Sequence, residues 1–177
     1  MKGKDLSILK GAIFSDDRKY RYALWRVWNI NRPILLQIGL NPSKAGEIIS
    51  DPTITRGVVR ANREGFGGFL MGNLYGYVST NPDALLRDGD FIGEYTDYYL
   101  TQMIEMSDKQ LCGWGSFKPV KYRSEIVLSM IREPYCLSVN MDGHPKHPLY
   151  VGYNVPMVKY CWGNEVESDI ALSTGEE

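Results

Sequence analysis

Pro33-Ile34-Leu35-Leu36-Gln37-Ile38-Gly39-Leu40-Asn41-Pro42-Ser43 is the stretch on which the fold turns. Ile34 to Gly39 is an apolar run broken only by Gln37, too short for a helix, and reads as a core strand. The polar turn Asn41-Pro42-Ser43 ends it. A well-signalled helix follows, with Asp51 as N-cap, Pro52 at the first position, Ile54, Val58 and Val59 on one side and Gly65 near the C-cap. A strand, a polar loop and a helix in that order are the repeating unit of an α/β fold.

Working outward, the same unit recurs. Before residue 32, Ser15-Asp16-Asp17 forms a turn and Tyr20 to Trp28 an aromatic-rich strand, together hairpin-like. Phe69 to Leu74 is a second core strand, Gly93 to Met106 a helix with Tyr99, Met103 and Met106 recurring along it, and Leu111 to Trp114 a third strand. Pro119 opens another helix through Ile126, Val127, Met130 and Ile131, and Tyr135 to Val139 is the fourth strand. A short last helix is expected from Pro156 to Trp162 with Asn154 as its cap. The alternation predicts a three-layer α/β/α sandwich: a central, mostly parallel sheet with helices on both faces. Gly65-Phe66-Gly67-Gly68 precedes a strand and opens no helix, so it is a helix-to-strand turn and no dinucleotide loop.

The chain has 177 residues, 44% of them hydrophobic and 23% charged, which suits one folded domain and excludes disorder, collagen and coiled coil. That domain is expected over residues 1–162. No apolar stretch approaches the ~20 residues of a membrane helix, and Met1-Lys2-Gly3-Lys4-Asp5 leads into no signal-peptide core, so the expectation is a cytoplasmic protein with no membrane partner. Cys112, Cys136 and Cys161 are odd in number and widely spaced, so they are expected as buried thiols; no metal and no cofactor is expected. The net charge is −1, but residues 163–177 hold Glu165, Glu167, Asp169, Glu176 and Glu177 and no base, leaving +4 on residues 1–162. Such a tail is expected to be solvated and disordered over a mildly basic body.

In open parallel sheets ligands bind at the carboxyl ends of the strands. Asn41-Pro42-Ser43, Asn73-Leu74-Tyr75, Trp114-Gly115-Ser116 and the loop His144 to Tyr150 would share that rim, and both histidines of the chain lie in the last loop. Amides that read a nucleobase edge, an imidazole donor and aromatics for stacking suit a nucleobase ligand.

From about Phe14 to Val151 the chain resembles the family catalogued as domain of unknown function 1643. The likeness rests on Tyr22-Ala23-Leu24-Trp25-Arg26, Gly39-Leu40-Asn41-Pro42-Ser43-Lys44-Ala45, Asp51-Pro52-Thr53-Ile54, Asn73-Leu74-Tyr75, Trp114-Gly115 and Lys146-His147-Pro148-Leu149-Tyr150. More distantly it is similar to the uracil-DNA glycosylase superfamily, which implies an α/β/α sandwich and water attack at C1′ with the base expelled as an anion. Transferred to this chain, the likeness implies that Asn41 positions the water, Asn73 reads the pyrimidine edge and His147 hydrogen-bonds the leaving base. Asp51 is the nearby carboxylate that could act as base. The chain has His147-Pro148-Leu149-Tyr150 where many glycosylases have His-Pro-Ser-Pro, and its three cysteines are one short of the four-thiolate cluster some relatives hold.

Each residue also has a structural reading. Asn41-Pro42 is a common turn, Asp51 a good cap and Asn73 a strand end; Tyr75 and Trp114 suit a core, and Arg56, Arg60 and Arg123 suit solvated helix faces. The site expectation is Asn41, Asp51 and His147 as catalytic residues, with Pro42, Ser43, Asn73, Tyr75, Trp114, Arg56 and Arg123 binding substrate. The functional expectation is a hydrolase of the N-glycosidic bond of a modified nucleobase, in DNA or a nucleotide. The alternative is a non-catalytic nucleotide or nucleobase sensor with the same pocket. Nucleic acid or nucleotide is the partner either way.

Overall fold

Leu35 and Leu36 are neighbours in sequence and both fully buried. Successive side chains of a strand leave opposite faces, so the strand they occupy must be covered on both sides. The computed structural model describes residues 9–43, 50–86, 89–117 and 120–161, and it places that strand, β3, at Ile34–Gly39 as predicted. The other elements are β1 (Leu9–Phe14), β2 (Arg21–Val27), α1 (Pro52–Arg63), β4 (Gly68–Asn73), α2 (Thr96–Met106), β5 (Lys109–Cys112), α3 (Val120–Met130), β6 (Pro134–Cys136) and β7 (Val158–Lys159). Short 3₁₀ turns lie at Pro82–Leu86 and Pro148–Tyr150.

The strands form a seven-stranded sheet in the order β1-β2-β4-β3-β5-β6-β7. Its centre, β4-β3-β5-β6, is parallel; β2 joins β4, β1 joins β2 and β7 joins β6 antiparallel. The sheet is therefore mixed, which corrects the expectation of a mostly parallel one. Strand–helix alternation reports crossovers, and both outer additions are made without a helix. The hairpin β1–β2 covers the free edge of β4. At the other edge, the segment expected as a helix from Pro156 to Trp162 returns as β7, and Tyr160 N–H donates to Pro134 O at 2.8 Å. An unpaired sheet edge exposes backbone donors and acceptors, and the returning strand satisfies them where a helix could not.

Two apolar clusters separate by face. Leu24, Leu35, Phe69, Met71 and Leu111 pack with Ile54 and Ala61 of α1. Leu36, Ile38 and Leu70 pack with Leu100 and Met103 of α2 and with Val120 and Val127 of α3. Asp51 caps α1 and Gly65 follows it with φ +86°, as its sequence signals predict. The inner face of α1 is Ile54, Gly57, Arg60 and Ala61, and Val59, expected there, is exposed. α2 likewise begins at Thr96 instead of Gly93, and its last residue, Met106, is exposed. Cys112 and Cys136 are buried, but Cys161 is exposed, a correction to its reading as a core thiol. Among the described residues no helix is long and apolar enough to cross a membrane. Lys44, Ala45, Pro119, Trp162 and the acidic tail 163–177 lie outside the described residues.

One irregularity matters for the site. Ile13 of β1 faces Ala23 of β2, but Phe14 faces Arg21, so Tyr22 is an extra residue in β2. Such a bulge breaks the alternation of side chains. The Tyr22 ring stacks on Tyr99 of α2, leaving Arg21 to leave the strand on its own course.

Gly57 sets how closely α1 approaches the sheet, because a Cβ there would overlap the Phe69 ring. Gly57→Ala should lower stability by about 1–3 kcal/mol, the usual cost of overpacking a filled core, read as a lower denaturation midpoint at unchanged slope. An unchanged midpoint would mean that α1 can lift off the sheet freely.

Candidate functional site

The parallel registers bring three strand ends level: Gly39 lies beside Asn73, and Ile38 beside Cys112. Backbone bonds carry the pairing past the strands, from Leu74 N–H to Gly39 O, Tyr75 N–H to Leu40 O and Gly113 N–H to Ile38 O, each 2.9 Å. Above this rim opens a cleft of about 880 Å³, within the range of small-molecule sites. Asn41, Ser43, Asp51, Trp114 and His147 line it.

Asp51 is both a cap and a cleft residue. One carboxylate oxygen accepts the Ile54 N–H at 2.9 Å and the other accepts the Ser43 hydroxyl. The carboxylate thus sits at the positive end of α1, where a negative charge is favoured. Asn41 spends its amide nitrogen on the loop, donating to Ser79 O at 2.9 Å and more weakly to Pro42 O and Tyr77 O. Its carbonyl oxygen is the atom left for a ligand or a water.

His147 caps the 3₁₀ turn that follows it: Leu149 N–H donates to its Nδ1 at 3.2 Å. Nδ1 is therefore an acceptor, and the imidazole proton resides on Nε2. Burial pushes its pKa below the usual histidine range, with the charge of Asp51 acting in the opposite sense. The ring is neutral at pH 7 and keeps an N–H donor. The next residue, Pro148, closes against Gly113, just past β5, where a Cβ would stand 2.5 Å from the proline ring. Glycine there admits the loop to the rim.

Arg56 and Arg60, expected either at substrate or in solvent, are instead the fastening of this loop. Arg56 donates to Pro148 O at 3.1 Å and Val151 O at 2.7 Å. Arg60, 1% exposed, donates to Gly152 O at 2.7 Å, Val155 O at 3.0 Å and Val151 O at 3.3 Å. Arg123 is engaged in the same way: its guanidinium donates to Leu74 O at 2.7 Å and forks onto the Asp97 carboxylate. Neither Arg56 nor Arg123 lines the cleft.

Pro42, Asn73 and Tyr75 also lie outside the lining. Asn73 is 3% exposed, and its side-chain oxygen, which has no hydrogen-bond partner among the described residues, lies close to Gly39 of the cleft wall. Trp114 lines the cleft but is itself buried, its indole N–H directed at His144 Nδ1. It is floor, with no open face for stacking. The other aromatic rings lining the cleft are the half-buried Phe117 and the strongly exposed Tyr150. Sequence reasoning placed Ser116 and Tyr150 on the rim but missed Phe117, Asn140 and Arg21, all of which line the cleft. The loop positions were findable by extending the search a few residues past each strand, whereas Arg21 depends on the bulge in β2. Among the described residues no group of three or more His, Cys, Asp or Glu gathers to hold a metal.

The model of the family Protein of unknown function (DUF1643) matches residues 21–149. The chain belongs to the DUF1643 family. The lining residues of the cleft fall within the matched span, except Tyr150. No curated protein and no solved structure matches it.

Both histidines of this DUF1643 protein are pushed by burial below the usual pKa of 6.5, His144 against the opposing charge of Asp142. A folded value below the unfolded one means that the unfolded chain binds more protons as pH falls through about 6.5, so stability falls with it. The carboxylates held low, such as Asp17 at about 2, lose their contribution only in stronger acid. The thermal midpoint should therefore drop between pH 7 and pH 5, and His147→Asn should shrink the drop. Imidazole NMR titrations at or above 6.5 would contradict this.

Proposed function

We propose that the protein hydrolyses the N-glycosidic bond of a nucleobase-bearing substrate. The observation that carries this reading is that a carboxylate, Asp51, and a neutral N–H donor, His147, line one cleft. Breaking a C1′–N bond leaves positive charge on the sugar and negative charge on the base, and preorganised groups of opposite sign at each end lower that barrier. Asp51 stabilises the sugar cation and takes the proton of the attacking water. The carbonyl oxygen of Asn41 holds that water, and His147 Nε2–H donates to the departing base. Asn73, its side-chain oxygen buried close to Gly39 and without a partner among the described residues, is suited to accept from a pyrimidine N–H once a ligand is seated. The placing of α1 on one face and of α2 and α3 on the other is in keeping with a uracil-DNA glycosylase-like sandwich.

A second reading, binding without chemistry, draws on the same geometry. Both oxygens of Asp51 already accept hydrogen bonds and the nitrogen of Asn41 is committed to backbone, as suits a site built to hold its shape.

The two separate in a base-release assay on nucleosides, nucleotides and oligonucleotides carrying uracil, hydroxymethyluracil or other altered pyrimidines. For an enzyme, free base appears and His147→Ala slows release by roughly 10²–10³-fold, the cost of one preorganised donor, with far less change in binding. Asp51→Asn keeps the cap, since Asn caps as well as Asp, and should lose at least about 10²-fold. No base released from any substrate, together with nucleotide binding that Asn73→Ala abolishes, would establish the binding module instead.

A further inference from the structure

Gln37, the polar residue in the apolar run of β3, is fully enclosed, and both atoms of its amide, Nε2 and Oε1, lack a hydrogen-bond partner among the described residues. A buried amide in that condition is destabilising until something satisfies it. Among the described residues, the other uncharged side chain that buries an unpartnered atom is Asn73, through Oδ1.

The two are near neighbours. In the parallel β3–β4 pair Gln37 lies opposite Met71 and Gly39 opposite Asn73. Residues two apart on a strand share a face, and here it is the face packed against α1. Gly39 and Met71 line the cleft, whereas Gln37 and Asn73 do not. The course of the Met71 side chain explains the difference. Gly39, without a side chain, leaves its place on the floor to the Met71 methyl: a Cβ there would stand 2.7 Å from Met71 Cε and 3.1 Å from Asn73 Oδ1. Met71 thus runs up the sheet from the level of Gln37 to lie beside Asn73 Oδ1. Methionine, unbranched and adaptable, is the apolar side chain best able to yield such a place.

The two amides offer a donor and acceptors side by side, and the floor around them, Met71, Ile54 and Trp114, is apolar. That combination suits the flat face of a heterocycle with polar atoms along one edge. We propose that Met71 covers a second layer of the cleft floor. A pyrimidine with a lactam edge, a ring N–H beside a ring C=O, displaces it; the N–H donates to Asn73 Oδ1 and the C=O accepts from Gln37 Nε2. This rests on the nucleobase reading of the cleft but not on the cleavage of any bond.

The test uses the whole chain labelled at the methionine methyls, with the Met71 resonance assigned through Met71→Leu, and two probes: deoxyuridine and 3-methyldeoxyuridine, which lacks the ring N–H. Deoxyuridine should shift the Met71 methyl and bind roughly 10–100-fold tighter than its methylated analogue, which leaves Asn73 unpaired. Gln37→Leu removes the orphaned amide, so its thermal midpoint should hold or rise while its affinity for deoxyuridine falls several-fold. Unchanged affinity at any midpoint, as for an amide that serves only a buried water, or a fall in affinity and midpoint together, as for ordinary core damage, would overturn the proposal. If Gln37→Leu fails to fold, the two nucleosides decide the case without it: a Met71 methyl that stays still, equal affinities, or no binding of either would be fatal. Base released equally from both nucleosides would remove the second layer and leave the hydrolase standing. Selective binding of deoxyuridine with no base released would do the reverse.

Discussion

Residues 148–155 cross the face of α1 with no regular structure beyond one 3₁₀ turn, yet Pro148 and Val151 are buried. Backbone carbonyls in such a place must find donors or the segment cannot stay. The guanidiniums of Arg56 and Arg60 supply them, reaching the carbonyls of Pro148, Val151, Gly152 and Val155, while the Tyr153 ring lies over Arg56, Arg60 and Arg63. A rigid fork with five donors does this where a lysine would offer a single point charge. The cleft depends on it. This fastening sets the loop that carries His147 beside the helix whose N-cap is Asp51, so one helix positions both of the groups on which the proposed chemistry rests.

The opposite face uses the same device. Arg123 of α3 binds Asp97 of α2 and the carbonyl of Leu74 just past β4, which ties two helices to the rim. Sequence-level reasoning tends to assign an arginine near a suspected site to the ligand. Here three are structural donors to backbone carbonyls, Arg60 and Arg123 buried and Arg56 half-buried.

The cleft also shows how far a residue can serve structure and site together. Asp51 ends its loop, caps α1 and faces the cavity, with Ser43 and the Ile54 N–H fixing both oxygens. His147 caps a 3₁₀ turn through Nδ1 and thereby keeps its proton on Nε2. In both cases the local backbone requirement decides which atom is left over for chemistry.

What the sequence determined by itself is local. The run Ile34–Gly39, the Asp51-Pro52 start of α1, the Gly65 stop and the rim position of Asn41 and His147 were legible, because strand burial, capping and turn chemistry are written within a few residues of one another. What depends on partners distant in the chain was not legible. β7 forms where a helix was expected because the edge of β6 needed a strand, and the hairpin β1–β2 takes the edge of β4. Arg56 turned inward onto carbonyls 92 and 95 residues away in the chain, a pairing that no local signal encodes. Arg21 reached the cleft because an extra residue in β2 reversed its face. Edge pairing, carbonyl satisfaction and strand register are settled between elements, and only the folded chain brings those elements together.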